Sequence, residues 1–370
     1  MKKIRVLYTI PNFDTAGSGR ALLNIAHGLD KNRFEPLVMC KHDNGAFFEV
    51  VKSSGIPVYI FDYTTEMKPY YRGILGSWKI SREFRRIKPD IIHSFHYSAD
   101  YSEAMASKMA GVRWVYTKKN MNWAGSSSNS WKLRSFLATG IVAQNTDMLR
   151  DFFPNNKKVF LIPRGVNVRK FSFDPVLHDF RSMYGILPTE NLIITVANLV
   201  PVKGIEVLME AFKKLSDQIT GWSLIIVGDD RNEYADHLKM LCRKWSIVDR
   251  VIFTGKVADV KGHLQMAKIF VLPTLNKGEG SPLALIEAMA NSRCVIGSAV
   301  PGIKDQLASY PDNLFDPGNI GQLSDKLLQL IRMSDENRKI MGHMFYLHAT
   351  NNYNIEKEVK LHEEMYFQLL

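Results

Sequence analysis

At 370 residues, with 46% hydrophobic and 23% charged residues, the chain carries enough apolar content for two cores, which excludes a disordered or fibrous protein. Its net charge of +11 is accompanied by no nucleic-acid-binding motif, so a nucleic-acid partner is not expected. Cys40, Cys242 and Cys294 are odd in number and far apart, which argues against a disulfide or zinc framework and for a reducing compartment.

The apolar run from Val6 to Ile10 is too short for a signal peptide or a membrane span and leads straight into Pro11-Asn12. It reads as a first strand. Gly17 and Gly19 then open a helix over 21–29, where glycines allow close backbone approach to an anion. The third glycine of a dinucleotide fingerprint is missing, which argues against a redox cofactor. Further strands are predicted at 35–40, 58–61, 91–94, 114–117, 140–143 and 159–162, then at 192–197, 223–227, 251–254, 269–272 and 294–296. Continuous apolar runs separated by amphipathic stretches fit parallel sheets covered on both faces. The expected fold is α/β: two doubly wound Rossmann-like domains facing a cleft. Their bounds are 1–172 and 189–351, with a linker over 173–188. The serine-rich run 125–130 reads as a loop.

Ligands of such sheets sit at the carboxyl ends of the strands. His93 and His96 lie at one such end, where they serve either packing or contact with a ligand. Lys203 closes the loop 198–204 at the mouth of a helix, placed to neutralise a diphosphate or simply to meet solvent. The run Val227-Gly228-Asp229-Asp230 ends another strand. Glu279 and Glu287 flank Gly280-Ser281-Pro282-Leu283, which reads as a loop turning into a helix over 283–290, with Ser281 as N-cap and Pro282 in the first turn. The helix start favours an anion, while carboxylates accept hydrogen bonds from hydroxyls, as on a sugar and a ribose. An ordinary capped helix with a solvated glutamate is the alternative.

Residues 198–204, 227–229, 251–255, 271–274 and above all 279–290 resemble the donor half of the retaining GT-B glycosyltransferases of family 4. The first half is similar more loosely, through the glycine loop, Lys88-Pro89-Asp90-Ile91-Ile92-His93, Ala143-Gln144-Asn145 and Ile162-Pro163-Arg164-Gly165-Val166-Asn167. The resemblance implies transfer of a sugar from a UDP- or GDP-type donor to a glycan or lipid-linked acceptor, with retention and with neither metal nor other cofactor. It also implies a C-terminal helix, 352–370, crossing back to the first domain. Carried over, Glu287 holds the ribose, Glu279 and Lys203 act on the sugar and diphosphate, and the N–H groups near Ser281 and Leu283 surround it. Thr254, Gly255 and Val257 meet the base, and Gly17, Gly19, Asn198, Gly228, Gly280 and Pro282 complete the donor-side set.

Two departures stand out. Asn198 occupies the place of a family arginine, and Lys118-Lys119-Asn120 stands where many members have a histidine after the strand 114–117, while in this reading His93 and His96 serve either packing or contact with the acceptor or donor sugar. Lys119 either returns a positive charge to the donor or marks a changed site. A non-catalytic nucleotide-sugar-binding partner and a sugar-nucleotide epimerase are the rival readings. Charge is concentrated in residues 1–172, which hold 27 Lys and Arg against 13 Asp and Glu, whereas the rest hold 21 against 24. The aromatic stretch 67–75 followed by Trp78, Lys79, Arg82, Arg85, Arg86 and Lys88 makes an anionic membrane surface an expected partner. The expected setting is the cytoplasm, at the inner face of a membrane, in the synthesis of a surface polysaccharide such as capsule or lipopolysaccharide.

Overall fold

The computed structural model describes residues 2–14, 16–45, 47–123, 128–171, 180–276 and 279–370. Its apolar runs form two parallel sheets. The first holds β1 (Ile4–Ile10), β2 (Phe34–Cys40), β3 (Val58–Ile60), β4 (Ile91–Ser94), β5 (Arg113–Lys118), β6 (Gly140–Ala143) and β7 (Val159–Leu161), in the order β3-β2-β1-β4-β5-β6-β7. The second holds β8 (Asn191–Val196), β9 (Trp222–Val227), β10 (Val251–Phe253), β11 (Ile269–Leu272), β12 (Cys294–Ser298) and β13 (Leu314–Phe315), in the order β10-β9-β8-β11-β12-β13. All twelve predicted strands are present. The two-residue β13 is additional, too short to leave a pattern in the sequence.

The chain divides into two compact units, Met1–Pro163 with Ile355–Leu370, and Arg164–Asn354. Of the stretch 173–188 expected as a linker, residues 173–179 lie outside the described residues, and Phe180–Met183 is helical. Of the serine-rich run, 125–127 lie outside them, whereas Ser128 begins the helix Ser128–Leu137.

Helix periodicity explains the covering layers. In the helix Ile205–Leu215, residues 205, 208, 209, 212 and 215 recur at the spacing of one face and are buried on the second sheet. Full burial of each such side chain contributes about 1.5–3 kcal/mol before entropy is counted. In the first unit the C-terminal helix Ile355–Leu369 packs on the helix Ala16–Gly28. Gly28 makes this approach feasible, since an added Cβ would lie 2.5 Å from Val359 Cγ2. Val359, Met365 and Tyr366 thereby enter the core of the first unit.

Candidate functional site

Each sheet reverses its strand order once, between β1 and β4 and between β8 and β11, and ligands of doubly wound sheets bind beyond the carboxyl ends of strands at such a reversal. In the second unit the loops after β8 and β11 meet there. Leu275 N–H donates to Val202 O at 2.8 Å. Gly204 lies between the two loops at φ +64°, and a Cβ on it would fall 2.1 Å from Pro273 O. Only glycine fits both demands.

This join brings two predicted residues together. Lys203 Nζ donates to Glu279 Oε1 at 2.6 Å, and Thr274 Oγ1 donates to the same oxygen at 2.8 Å. The Glu279 residue is 7% exposed and the Lys203 side chain 18%, so the pair is largely shielded from bulk water. Thr274 is fully buried, its carbonyl accepting from Ser298 Oγ at 2.5 Å. A lysine able to leave a carboxylate for a phosphate, and a carboxylate able to exchange that lysine for a hydroxyl, stand together beyond the carboxyl ends of β8 and β11.

The helix after this loop is Leu283–Ala290, as predicted, but its N-cap is Pro282 with no side-chain cap. Ser281 therefore does not cap it. Its hydroxyl instead accepts from Arg164 N–H at 3.1 Å and from Gln306 Nε2 at 3.2 Å, tying three segments of the second unit together. Glu287 is half-buried on this helix, and Gly280 is buried beside Gly302. Gly228 follows β9 directly, where an added Cβ would meet Ala197 O at 2.1 Å, so its smallness is required by the neighbouring loop. Thr254 Oγ1 donates to Gly255 O, and Val257 is half-buried just beyond. Asn198 is exposed.

Gly17 and Gly19 belong to the first unit. A Cβ at Gly17 would meet nothing within 4 Å, whereas one at Gly19 would lie 2.8 Å from the Phe13 ring. His93 is fully buried: Nδ1 pairs with Tyr366 Oη at 2.7 Å and Nε2 with Thr117 Oγ1 at 2.8 Å. Burial first, then His362 and Lys119, push its pKa well below the ordinary value. Of the two roles expected of His93, packing and a sugar contact, these contacts are those of packing, with Tyr366 of the C-terminal helix against its ring. His96 is half-buried, its pKa pushed down to about 3 by burial and by Arg134 and Lys41. Lys119 Nζ donates to Phe95 O at 2.6 Å and Ser18 Oγ at 3.1 Å. Asn120 Oδ1 accepts from Asn122 N–H at 3.2 Å and from Tyr97 Oη.

Two groups of the first unit, Glu103 and Arg134, escaped the sequence reading, and a third, Lys118, entered it only within the run 118–120. Glu103, fully buried, accepts from Ser94 Oγ at 2.7 Å and from Thr9 Oγ1, and burial raises its pKa. Arg134, equally buried, donates to His96 O at 2.9 Å and to Asp100 O, fixing the loop after β4. Lys118 Nζ lies 3.8 Å from the Phe152 ring centroid and 4.2 Å from that of Trp123, and donates to Asn122 O. Burial pulls this amine down to about 7. The period of two along β5 would have found it, since Trp114, Tyr116 and Lys118 share one face.

Among the described residues no group of three or more His, Cys, Asp or Glu is placed to hold a metal ion, and no helix is long and apolar enough to cross a membrane.

Two parallel-sheet Rossmann-like units, with the C-terminal helix returned to the first, define the GT-B architecture of glycosyltransferases. Residues 15–170 match Glycosyltransferase Family 4 and residues 179–343 match Glycosyl transferases group 1, so the chain carries a domain of each. It is 25% identical to the N-acetyl-alpha-D-glucosaminyl L-malate synthase of Bacillus anthracis, over 85% of this chain and 83% of that protein. It is also 25% identical to the alpha-monoglucosyldiacylglycerol synthase of Streptococcus pneumoniae, over 81% and 69%. Among solved structures, Anabaena Alr3699/HepE in complex with UDP and glucose superimposes with a TM-score of 0.81 at 18% identity, covering 99% of each chain.

Proposed function

We propose that this protein moves a sugar from a UDP- or GDP-type donor to a hydroxyl of a glycan or lipid-linked acceptor, with retention of anomeric configuration, in the synthesis of a surface polysaccharide or glycolipid. The observation that carries this reading is the Lys203–Glu279 pair at the strand-order reversal of the second unit. In the reaction a bond forms between the acceptor oxygen and the anomeric carbon. The bond from that carbon to the β-phosphate oxygen breaks, its electron pair leaves with the nucleoside diphosphate, and the acceptor proton passes to the departing phosphate. Lys203 would turn from Glu279 to the diphosphate and stabilise the charge built up there, while Glu279 would accept from a hydroxyl of the sugar. Glu287 would hold the ribose hydroxyls, and the backbone over 254–257 would meet the base.

The same reading includes peripheral contact with an anionic membrane at its cytoplasmic face. In the helix Tyr70–Ile87, Tyr70, Tyr71, Ile74, Leu75 and Trp78 lie along one stripe and are all exposed, while Gly73, Ser77, Ile80, Ser81, Phe84 and Ile87 are buried on the opposite side. Arg82, Arg85 and Arg86 follow the stripe, a pattern suited to headgroups over an apolar boundary.

Thermal unfolding in the presence of UDP, GDP and their sugars tests the donor, because a ligand raises stability by RT ln(1 + [L]/Kd). Proton NMR of the product then tests retention. Absence of any nucleotide-dependent shift would refute the proposal.

A further inference from the structure

Two donors share one oxygen of Glu279, and they differ in freedom. Oε1 accepts from Lys203 Nζ at 2.6 Å and from Thr274 Oγ1 at 2.8 Å, which fills both of its lone-pair directions. Lys203 reaches it on a flexible four-carbon stem whose side chain is 18% exposed, so the ammonium can swing away. Thr274 cannot. It is fully buried two residues beyond the end of β11, and its branched Cβ restricts rotation about χ1.

The neighbouring strand fixes it further. Ser298, the last residue of β12 and equally buried, donates from Oγ to Thr274 O at 2.5 Å. The two strands pair immediately before this bond, Leu272 against Gly297. A run of hydrogen bonds thus leads from the sheet to the carboxylate, from Ser298 to Thr274 and from Thr274 to Glu279.

A shielded carboxylate stripped of its ammonium is costly unless another donor remains on it. When Lys203 turns to a diphosphate, the Thr274 hydroxyl is the donor that remains. Two donors on one oxygen also compete for its charge, so the hydroxyl is bound more strongly after the lysine has left than before. It therefore stabilises the carboxylate more with Lys203 gone than with Lys203 in place.

Resting on the roles given above to Lys203 and Glu279, we infer that Thr274, anchored by Ser298, is a positioning residue: it sets how readily Lys203 passes from Glu279 to the donor diphosphate. Calorimetry of the full chain with UDP and with GDP tests this. Thr274→Val keeps the shape and removes the hydroxyl, and should weaken binding of the nucleotide about tenfold. Thr274→Ser retains the hydroxyl and should restore binding to within about twofold of the native chain. Removing the charge instead, in Glu279→Gln, should tighten binding. In that glutamine background the lysine no longer leaves a charge behind, and Thr274→Val should change affinity less than about twofold, whereas a merely structural threonine would weaken binding equally in both backgrounds. Ser298→Ala removes only the anchor, should weaken binding severalfold, and covers the case in which the valine variant does not fold. Equal losses in the two backgrounds, or native affinity in both Thr274→Val and Ser298→Ala, overturn the inference. If the native chain binds neither nucleotide, the transferase reading fails and this inference with it; if it binds one and the valine variant binds it equally well, the positioning role alone fails.

Discussion

Replacing Glu279 by glutamine separates the role of its charge from its shape. Lys203 Nζ and Glu279 Oε1 are 2.6 Å apart. At an effective dielectric of about 20 the attraction across that distance is about 6 kcal/mol. Desolvation offsets most of it, and hydrogen bonds to charged groups contribute about 1.5–3 kcal/mol net. A diphosphate that recruits Lys203 must first displace this carboxylate. The glutamine variant retains a hydrogen-bond acceptor toward Thr274 and Lys203 but not the charge, so Lys203 is released at lower cost. We expect Glu279→Gln to bind free UDP or GDP about tenfold more tightly, equivalent to roughly 1.4 kcal/mol, while sugar transfer falls by about a hundredfold. Glu287→Gln should instead weaken nucleotide binding by about 1–3 kcal/mol. Isothermal calorimetry with the free nucleotide, alongside a transfer assay, measures both. Nucleotide binding weakened equally in the two variants would refute the competition argument.

Burial pulls Lys118 down to about 7 in the folded chain against about 10.4 when unfolded, so between those values the unfolded chain holds the extra proton and stability rises with pH. Urea unfolding should show Lys118→Met lacking a slope of up to about 1.4 kcal/mol per pH unit over that window, and a shared slope would refute the assignment. Gly204→Ala places a Cβ against Pro273 O at positive φ and should destabilise the chain by about 3 kcal/mol, read as a lowered urea midpoint. Arg82, Arg85 and Arg86 changed together to Glu should abolish sedimentation with phosphatidylserine vesicles at low salt; binding indifferent to lipid charge would exclude the electrostatic contact.

The strands and the Glu279 loop were readable because each is a local pattern: an apolar run of three to seven residues, or a fixed spacing of glycine, serine, proline and carboxylates. Lys203 was readable from its place at the mouth of a helix and from the resemblance, whereas its direct pairing with Glu279 depends on the join of the two loops at Gly204. His93 was left between packing and a sugar contact for a physical reason. Whether a strand end is open depends on what covers it, and its cover is Tyr366, distant in the chain and joined to it by a single hydrogen bond to Nδ1. Ser281 was misread as a cap because Arg164 and Gln306, which claim its hydroxyl, lie on segments with no sequence relation to it. Glu103 and Arg134 were missed because helix positions holding charged residues look solvent-facing until the facing elements are known.

The return of Ile355–Leu369 to the first unit bears on how the molecule is made. On the ribosome, residues 164–354 emerge before the helix that carries Val359, Met365 and Tyr366 into the first core. The earlier-synthesised unit is therefore the later one to be completed, and it waits with His93 and the neighbouring aromatic rings uncovered. Nascent chains arrested before residue 355 should hold a protease-resistant second unit beside a first unit that is still cleaved, and addition of the last helix should protect both.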